Sequence, residues 1–167
     1  MKAKIEFLHC GEQQRVFEVE ISEIISVLNT VKWSELFEYW EHGTIFKHQS
    51  GYNKALASSF RNLAWESSPV LRDNPKLIGD FRKGLIFVEI QFGNSAALYR
   101  DFYKFQYGFQ NGLLSLAVLI VPMKAAEFFP TRVTSVRNMA EFALARSYFT
   151  VLAINVPTML IALKPMD

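Results

Sequence analysis

The run Leu85-Ile86-Phe87-Val88-Glu89-Ile90-Gln91-Phe92 is apolar except for one carboxylate and one amide. Read as a β-strand, its period of two puts Glu89 and Gln91 on one face and Ile86, Val88, Ile90 and Phe92 on the other. Leaving a lone carboxylate inside a core costs several kcal/mol, so Glu89 must be solvated at a cleft, hydrogen-bonded or bound to a cation. This strand therefore fixes both a core element and the place where polar chemistry interrupts the core.

A second acid, Asp80, precedes Glu89 by nine positions, with the turn-like Arg82-Lys83-Gly84 between them. Carboxylate oxygens suit Mg²⁺, to which Asp80, Glu89 and the carbonyl of Ile90 could supply ligands, while Gln91 lies where an amide can orient a water. A glutamine is no general base at neutral pH, so activation of that water would fall to the metal. The spacing raises a difficulty. A turn centred on Lys83 sets Asp80 opposite Ile86, roughly 10 Å from Glu89 at the usual strand rise, so a bend or slacker turn near Asp80 is expected. Without it, Asp80 and Glu89 are two unrelated surface acids.

The chain has 167 residues, half of them hydrophobic, which suits one domain with a substantial core, residues 1–167. The single cysteine, Cys10, forms no internal disulfide, and no Cys/His cluster has zinc-ligand spacing, which suggests a cytoplasmic protein. The N-terminus has no signal-like apolar stretch, and the longest apolar runs, 113–123 and 151–163, are broken by Ser115, Asn155 and Pro157, so no membrane span is expected. Net charge is only +2, but residues 1–50 hold five Lys/Arg against eight Asp/Glu, whereas residues 51–146 hold twelve against seven. A polyanion would approach the second region, although a mixed surface explains the count equally well.

Periodicity divides the chain into an α/β pattern. Lys2 to Cys10 and Gln14 to Ile21 alternate around a turn-like Gly11, which predicts an N-terminal β-hairpin over residues 2–21. Helical spacing follows from Ser22 to Trp40, with a break expected near Asn29-Thr30 and Gly43 as its end, and again from Gly51 to Trp65. A strand pair covers 76–92, a helix runs from about Ala96 to Gln110 with Asn94 or Ser95 as cap, and Leu114 to Val121 is a strand. A helix capped by Thr134 or Ser135 reaches Ser147, and Thr158 to Leu163 closes as a strand. This order predicts a mixed β-sheet core flanked by helices.

The segments Ile78-Gly79-Asp80-Phe81 and Val88-Glu89-Ile90-Gln91-Phe92-Gly93-Asn94 resemble the active-site hairpin of the BglII-type restriction endonucleases, with glutamine where the wider PD-(D/E)xK nuclease superfold has lysine. The resemblance continues through Ala117-Val118-Leu119-Ile120, Phe129-Pro130-Thr131 and Asn155-Val156-Pro157, covering about 55–163, and leaves the predicted hairpin without a counterpart. It implies a restriction-endonuclease-like fold and a Mg²⁺-dependent homodimer that cuts double-stranded DNA at a short palindrome containing GATC, beside a companion DNA methyltransferase. By resemblance, Asp80 and Glu89 are the metal-site acids and Gln91 takes the water-positioning place. Members of the family are longer, which puts full wrapping of DNA in doubt. A non-catalytic DNA-binding or assembly protein on the same fold, and a nuclease of low specificity, stay open as alternatives.

The resemblance also puts a base-contacting loop at 129–135, with Arg132 as the candidate for guanine and Thr131 and Thr134 beside it; helix capping by Thr134 is the plainer alternative. Asn94 is either a DNA contact or a cap. Arg82, Lys83 and Lys124 are candidate phosphate contacts. Glu66 could be a further acid near the metal, but a solvated surface position is the simpler reading. Helix 96–110 carries Tyr99, Phe102, Tyr103, Phe105, Tyr107 and Phe109, more aromatics than one buried face needs. Burial against both the sheet and a second copy would account for them, and twofold symmetry suits palindromic DNA.

Overall fold

The computed structural model describes residues 1–132 and 134–165. In chain order the elements are β1 (Lys2–Leu8), α1 (Gln13–Val16), α2 (Glu18–Thr30), β2 (Glu38–Glu41), β3 (Thr44–Lys47), α3 (His48–Asn62), β4 (Glu66–Ser67), β5 (Val70–Arg72), β6 (Leu77–Ile78), β7 (Phe81–Lys83) and β8 (Ile86–Ile90). They continue with α4 (Ala97–Gln110), β9 (Leu116–Pro122), α5 (Ala125–Phe128), a 3-10 turn (Ser135–Asn138), α6 (Phe142–Val151) and β10 (Thr158–Lys164). Six strands form one sheet in the order β1-β10-β9-β8-β7-β4. The central β10, β9 and β8 run parallel, and antiparallel β1 flanks them on one side, β7 and β4 on the other.

Strand β9 is buried along its whole length, as a parallel strand covered on both faces must be. Alternation divides its residues between two cores. Leu116, Val118 and Ile120 pack with Ile24, Leu28, Leu56 and Phe60 of α2 and α3. Ala117, Leu119 and Val121 pack with Leu98, Phe102, Phe105 and Phe149 of α4 and α6. The mixed sheet with helices on its faces is the predicted architecture. No helix among the described residues is long and apolar enough to cross a membrane.

The N-terminal β-hairpin is not formed. Strand β1 pairs along its length with β10 from the far end of the chain, in register from Lys2 with Lys164 to Leu8 with Thr158. The segment expected as its partner is helical, because Ile21, Ile24 and Leu28 repeat every three or four residues and together form a buried stripe. Helix α2 ends at Thr30, where the break is expected, but the helical spacing beyond it to Trp40 forms no second helix: Glu38 to Lys47 is a hairpin closed by His42 and Gly43, both at positive φ, as a two-residue I′ turn requires. The helix expected from Thr134 to Ser147 is likewise split into the 3-10 turn and α6.

Candidate active site

The site begins with the turn between β7 and β8. Gly84 alone of the two loop residues has positive φ (55°), the pattern of a II′ hairpin turn, for which glycine is the least strained first residue. The turn therefore lies one residue later than a centre at Lys83. Lys83 pairs with Ile86, Arg82 with Phe87 and Phe81 with Val88. One further step in that register sets Asp80 against Glu89. The nine-residue spacing is what a two-residue turn needs to bring the acids opposite one another, and the chain also bends at Asp80, the residue just before β7, as expected. The backbone N–H of Ile90 donates to Asp80 Oδ2 at 2.7 Å. Since N–H and C=O of one strand residue point to the same edge, the Ile90 carbonyl also faces the Asp80 side.

On β8, Phe87 points into the core beneath α4, and Glu89 follows on the same face. There it meets two residues that the sequence did not single out as site residues. The Lys104 ammonium donates to Glu89 Oε1 at 2.7 Å and stands 3.0 Å from Asp101 Oδ1, an ion contact outside hydrogen-bond geometry. Gln91 Nε2 donates to Asp101 Oδ2 at 2.7 Å, and Gln91 Oε1 accepts from the Gly93 N–H at 2.9 Å. Both ends of the Gln91 amide are held, which fixes its orientation. A β-carbon at residue 93 would stand 2.9 Å from Gln91 Oε1, so glycine allows this fold-back. The spacing of Asp101 and Lys104 marks a helix pair on one face, but the sequence does not say that this face looks at Glu89.

Burial pushes the Glu89 carboxyl well above its ordinary range, and the negative charges of Asp80 and Asp101 push the same way; Lys104 pulls it back only in part. Asp80 is raised as well, first by burial, with its hydrogen bond from Ile90 opposing. These shifts describe two carboxylates that share too little positive charge. Oxygen donors in that state fit a hard cation. Among the described residues no cluster of three or more His, Cys, Asp or Glu stands together as a metal site.

The remaining candidates are dispersed. Asn94 is exposed, and its Oδ1 accepts from the Ala96 N–H at 2.8 Å, which uses the side chain in the turn before α4. Arg82 is ion-paired with Glu66 (2.8 Å), itself exposed on the edge strand β4. Lys83 donates to both Glu23 oxygens and to the Leu63 carbonyl, which holds it against α2 and away from the acids. Lys124 is exposed and pairs with Glu127 at 2.6 Å. Thr131 Oγ1 lies 3.2 Å from His48 Nδ1, Arg132 Nη1 donates to Gln49 Oε1 at 2.7 Å, and Thr134 is exposed. The loop thus leans on the first turn of α3, which no sequence signal connected with it.

A cleft of about 370 Å³ between α3 and the sheet edge reaches Asp80 and Ile90 and is lined also by Asn53, Lys54 and Arg61. A neighbouring cleft of about 400 Å³ shares Ser50 and Asn53 with it and runs to Arg132. Acid pair and loop thus border adjoining grooves on one side of α3.

A mixed sheet whose edge hairpin opposes two carboxylates, backed by a helix that supplies a buried lysine, has the layout of the restriction-endonuclease fold. The family model for restriction endonuclease BglII/BglIII matches residues 4–163, and the chain belongs to that family. The match begins within β1, so the N-terminal segment falls inside it. No curated protein sequence matches the chain. Among solved structures, a crystal structure of restriction endonuclease BglII complexed with a DNA 16-mer has a TM-score of 0.78 at 16% identity, covering 100% of this chain and 78% of that one. At that identity the likeness speaks for the fold.

Proposed function

We propose that the protein is a type II restriction endonuclease that hydrolyses both strands of duplex DNA at a short palindromic site containing GATC, with Mg²⁺ as cofactor. Membership of the BglII/BglIII family supports the nuclease class. The observation that supports the site assignment is the hydrogen bond from the Ile90 N–H to Asp80 Oδ2 at 2.7 Å, beside a β7–β8 register that, continued one residue beyond Phe81, would bring Asp80 opposite Glu89. Asp80, Glu89 and the Ile90 carbonyl would hold the ion. When bound, Mg²⁺ lowers the pKa of a ligated water and offsets charge on the phosphate in the transition state. Gln91 has one amide hydrogen and one lone pair beyond its bonds to Asp101 and Gly93, which suits it to orient that water. Asp101 and Lys104 act through others: Asp101 holds the Gln91 amide and Lys104 holds Glu89 Oε1.

Lys54 and Arg61 line the cleft beside Asp80, and both pair with Glu41 at 3.1 and 3.2 Å across its rim. A phosphate entering there would compete for these exposed pairs at little cost, since each is worth at most about 1 kcal/mol. They are better placed for the DNA backbone than Lys83; Arg82 and Lys124 stay as outlying phosphate contacts, while Asn94, Thr131, Arg132 and Thr134 would face bases or sugar. Tyr99, Tyr103 and Phe109 leave large exposed aromatic surface on α4, where Tyr99 stacks on Tyr148 of α6. That face suits a second copy, and a homodimer would set two sites on a palindrome. A companion DNA methyltransferase protecting the same site belongs to this reading.

Incubation of the purified protein with several plasmids and Mg²⁺ tests it. Discrete fragments are the expected result. A gel shift without cleavage would favour the non-catalytic DNA-binding protein, and a smear a nuclease of low specificity.

A further inference from the structure

The loop that carries Arg132 is bonded to the catalytic strand at its far end. Residues 138–140 run antiparallel to 93–95: Asn94 and Met139 are bridge partners, the Ser95 N–H donates to the Asn138 carbonyl at 2.7 Å, and the Ala140 N–H donates to the Gly93 carbonyl at 2.8 Å. The loop's near end is closed by the Arg132 N–H donating to the Phe129 carbonyl at 3.0 Å. One side chain from a distant element holds Arg132 and lies beside the segment to which the far end is bonded. Gln49, in the first turn of α3, accepts from Arg132 Nη1 through Oε1 at 2.7 Å, and its Nε2 lies 3.5 Å from where a β-carbon on Gly93 would stand. Gly93 is the elbow two residues beyond Gln91. Gln49 is therefore bonded to the candidate reading residue and stands beside Gly93, in the segment that follows the strand carrying Glu89.

We propose that Gln49 is a specificity-determining positioning residue, which holds the Arg132 guanidinium by one edge so that the other edge reads a guanine. This rests on the endonuclease reading above. A guanidinium presents five N–H donors in a rigid fork. With one Nη1 hydrogen taken by Gln49, the donors on Nη2 and Nε are left as a planar pair, which matches O6 and N7 of guanine in the major groove. Gln49 supplies a neutral acceptor, so it orients the cation without cancelling the charge that draws it to DNA. It also removes rotamer freedom that Arg132 would otherwise lose on binding.

The test is to map every cleavage end made by the full-length protein on fragmented genomic DNA, for the wild type, Gln49→Met, Gln49→Glu and Arg132→Met, with melting temperatures recorded for each. Gln49→Met should relax discrimination about ten- to a hundredfold, the worth of one bidentate base contact. The relaxed base pair should be the one that Arg132→Met relaxes, and Gln49→Glu, which keeps the acceptor but cancels the Arg132 charge, should restore discrimination while weakening DNA binding overall. Unchanged discrimination in Gln49→Met at a wild-type melting temperature overturns the inference, as does relaxation at a different base pair from Arg132→Met. A wild-type protein that leaves no discrete ends refutes the endonuclease reading itself, and this inference with it.

Discussion

Lys104→Met removes a buried positive charge that Glu89 and Asp101 share. The side chains of Lys104, Glu89 and Asp101 are 3%, 5% and 1% exposed, so the ammonium neutralises its two partners out of reach of solvent. Methionine keeps an unbranched apolar stem and removes the charge. Two carboxylates are then left buried, with Gln91 still bonded to Asp101. Removing one partner of a buried ion pair costs about 3–5 kcal/mol, a large part of the roughly 5–15 kcal/mol that holds a domain folded. For a chain of this size each kcal/mol moves the melting temperature by about 2–4 °C, so the variant should melt about 6–20 °C lower in chelator at pH 8. The pH dependence has a definite sign. The Glu89 carboxyl already stands well above its ordinary range, chiefly through burial, and loss of Lys104 raises it further. The folded protein then keeps a proton that the unfolded chain has released, and stability falls as pH rises. The deficit is complete above the raised folded value and shrinks as pH falls toward the ordinary carboxylate range. Scanning calorimetry from pH 5 to pH 8, with Asp101→Asn added to the variant in a double-mutant cycle, measures it. A melting temperature within about 2 °C of wild type at pH 8, or a deficit that grows on acidification, would refute the buried network as described.

Asp80→Asn keeps an oxygen to accept from Ile90 but removes a charge that burial disfavours. Thermal melts in chelator should show it more stable than wild type at pH 8, with the gain fading as pH falls through the raised Asp80 value, while plasmid cleavage is lost. Gln91→Ala should slow cleavage less than Asp80→Ala or Glu89→Ala, because its part is orientation. Gln91→Glu should be less stable than Gln91→Ala, since it sets a second carboxylate 2.7 Å from Asp101 Oδ2; equal melting temperatures at pH 8 would contradict the hydrogen bond.

The parts of this fold that local pattern governs were legible from the residues. Strand β8 follows from the alternation around Glu89, and α4 from Ala97 to Gln110 from its spacing, because each depends on neighbours a few residues away. The pairing of β1 with β10 depends on residues at opposite ends of the chain, and no local rule connects Lys2 with Lys164. Gln14 to Ile21 satisfies a period of two by accident; the helix wins because Ile24, Val27 and Leu28 extend its stripe into the core. Gly43 fits a helix end as well as a hairpin turn, and only the pairing of Glu38–Glu41 with Thr44–Lys47 decides between them. At the site, both acids were legible, but their register turned on one residue of turn chemistry at Gly84. Lys104 was visible only as a base on an aromatic helix, because its role depends on how α4 rotates against β8.

The central claim, that Asp80 and Glu89 face each other across a two-residue turn to share one cation, is tested most directly by anomalous diffraction from crystals of the wild-type protein soaked in Mn²⁺ at neutral pH. The account predicts one strong peak between the two carboxylates, within ligand distance of both and beside the Ile90 carbonyl, and none in Asp80→Asn crystals treated alike. Peaks confined to other acids, with Asp80 and Glu89 bare, would contradict it.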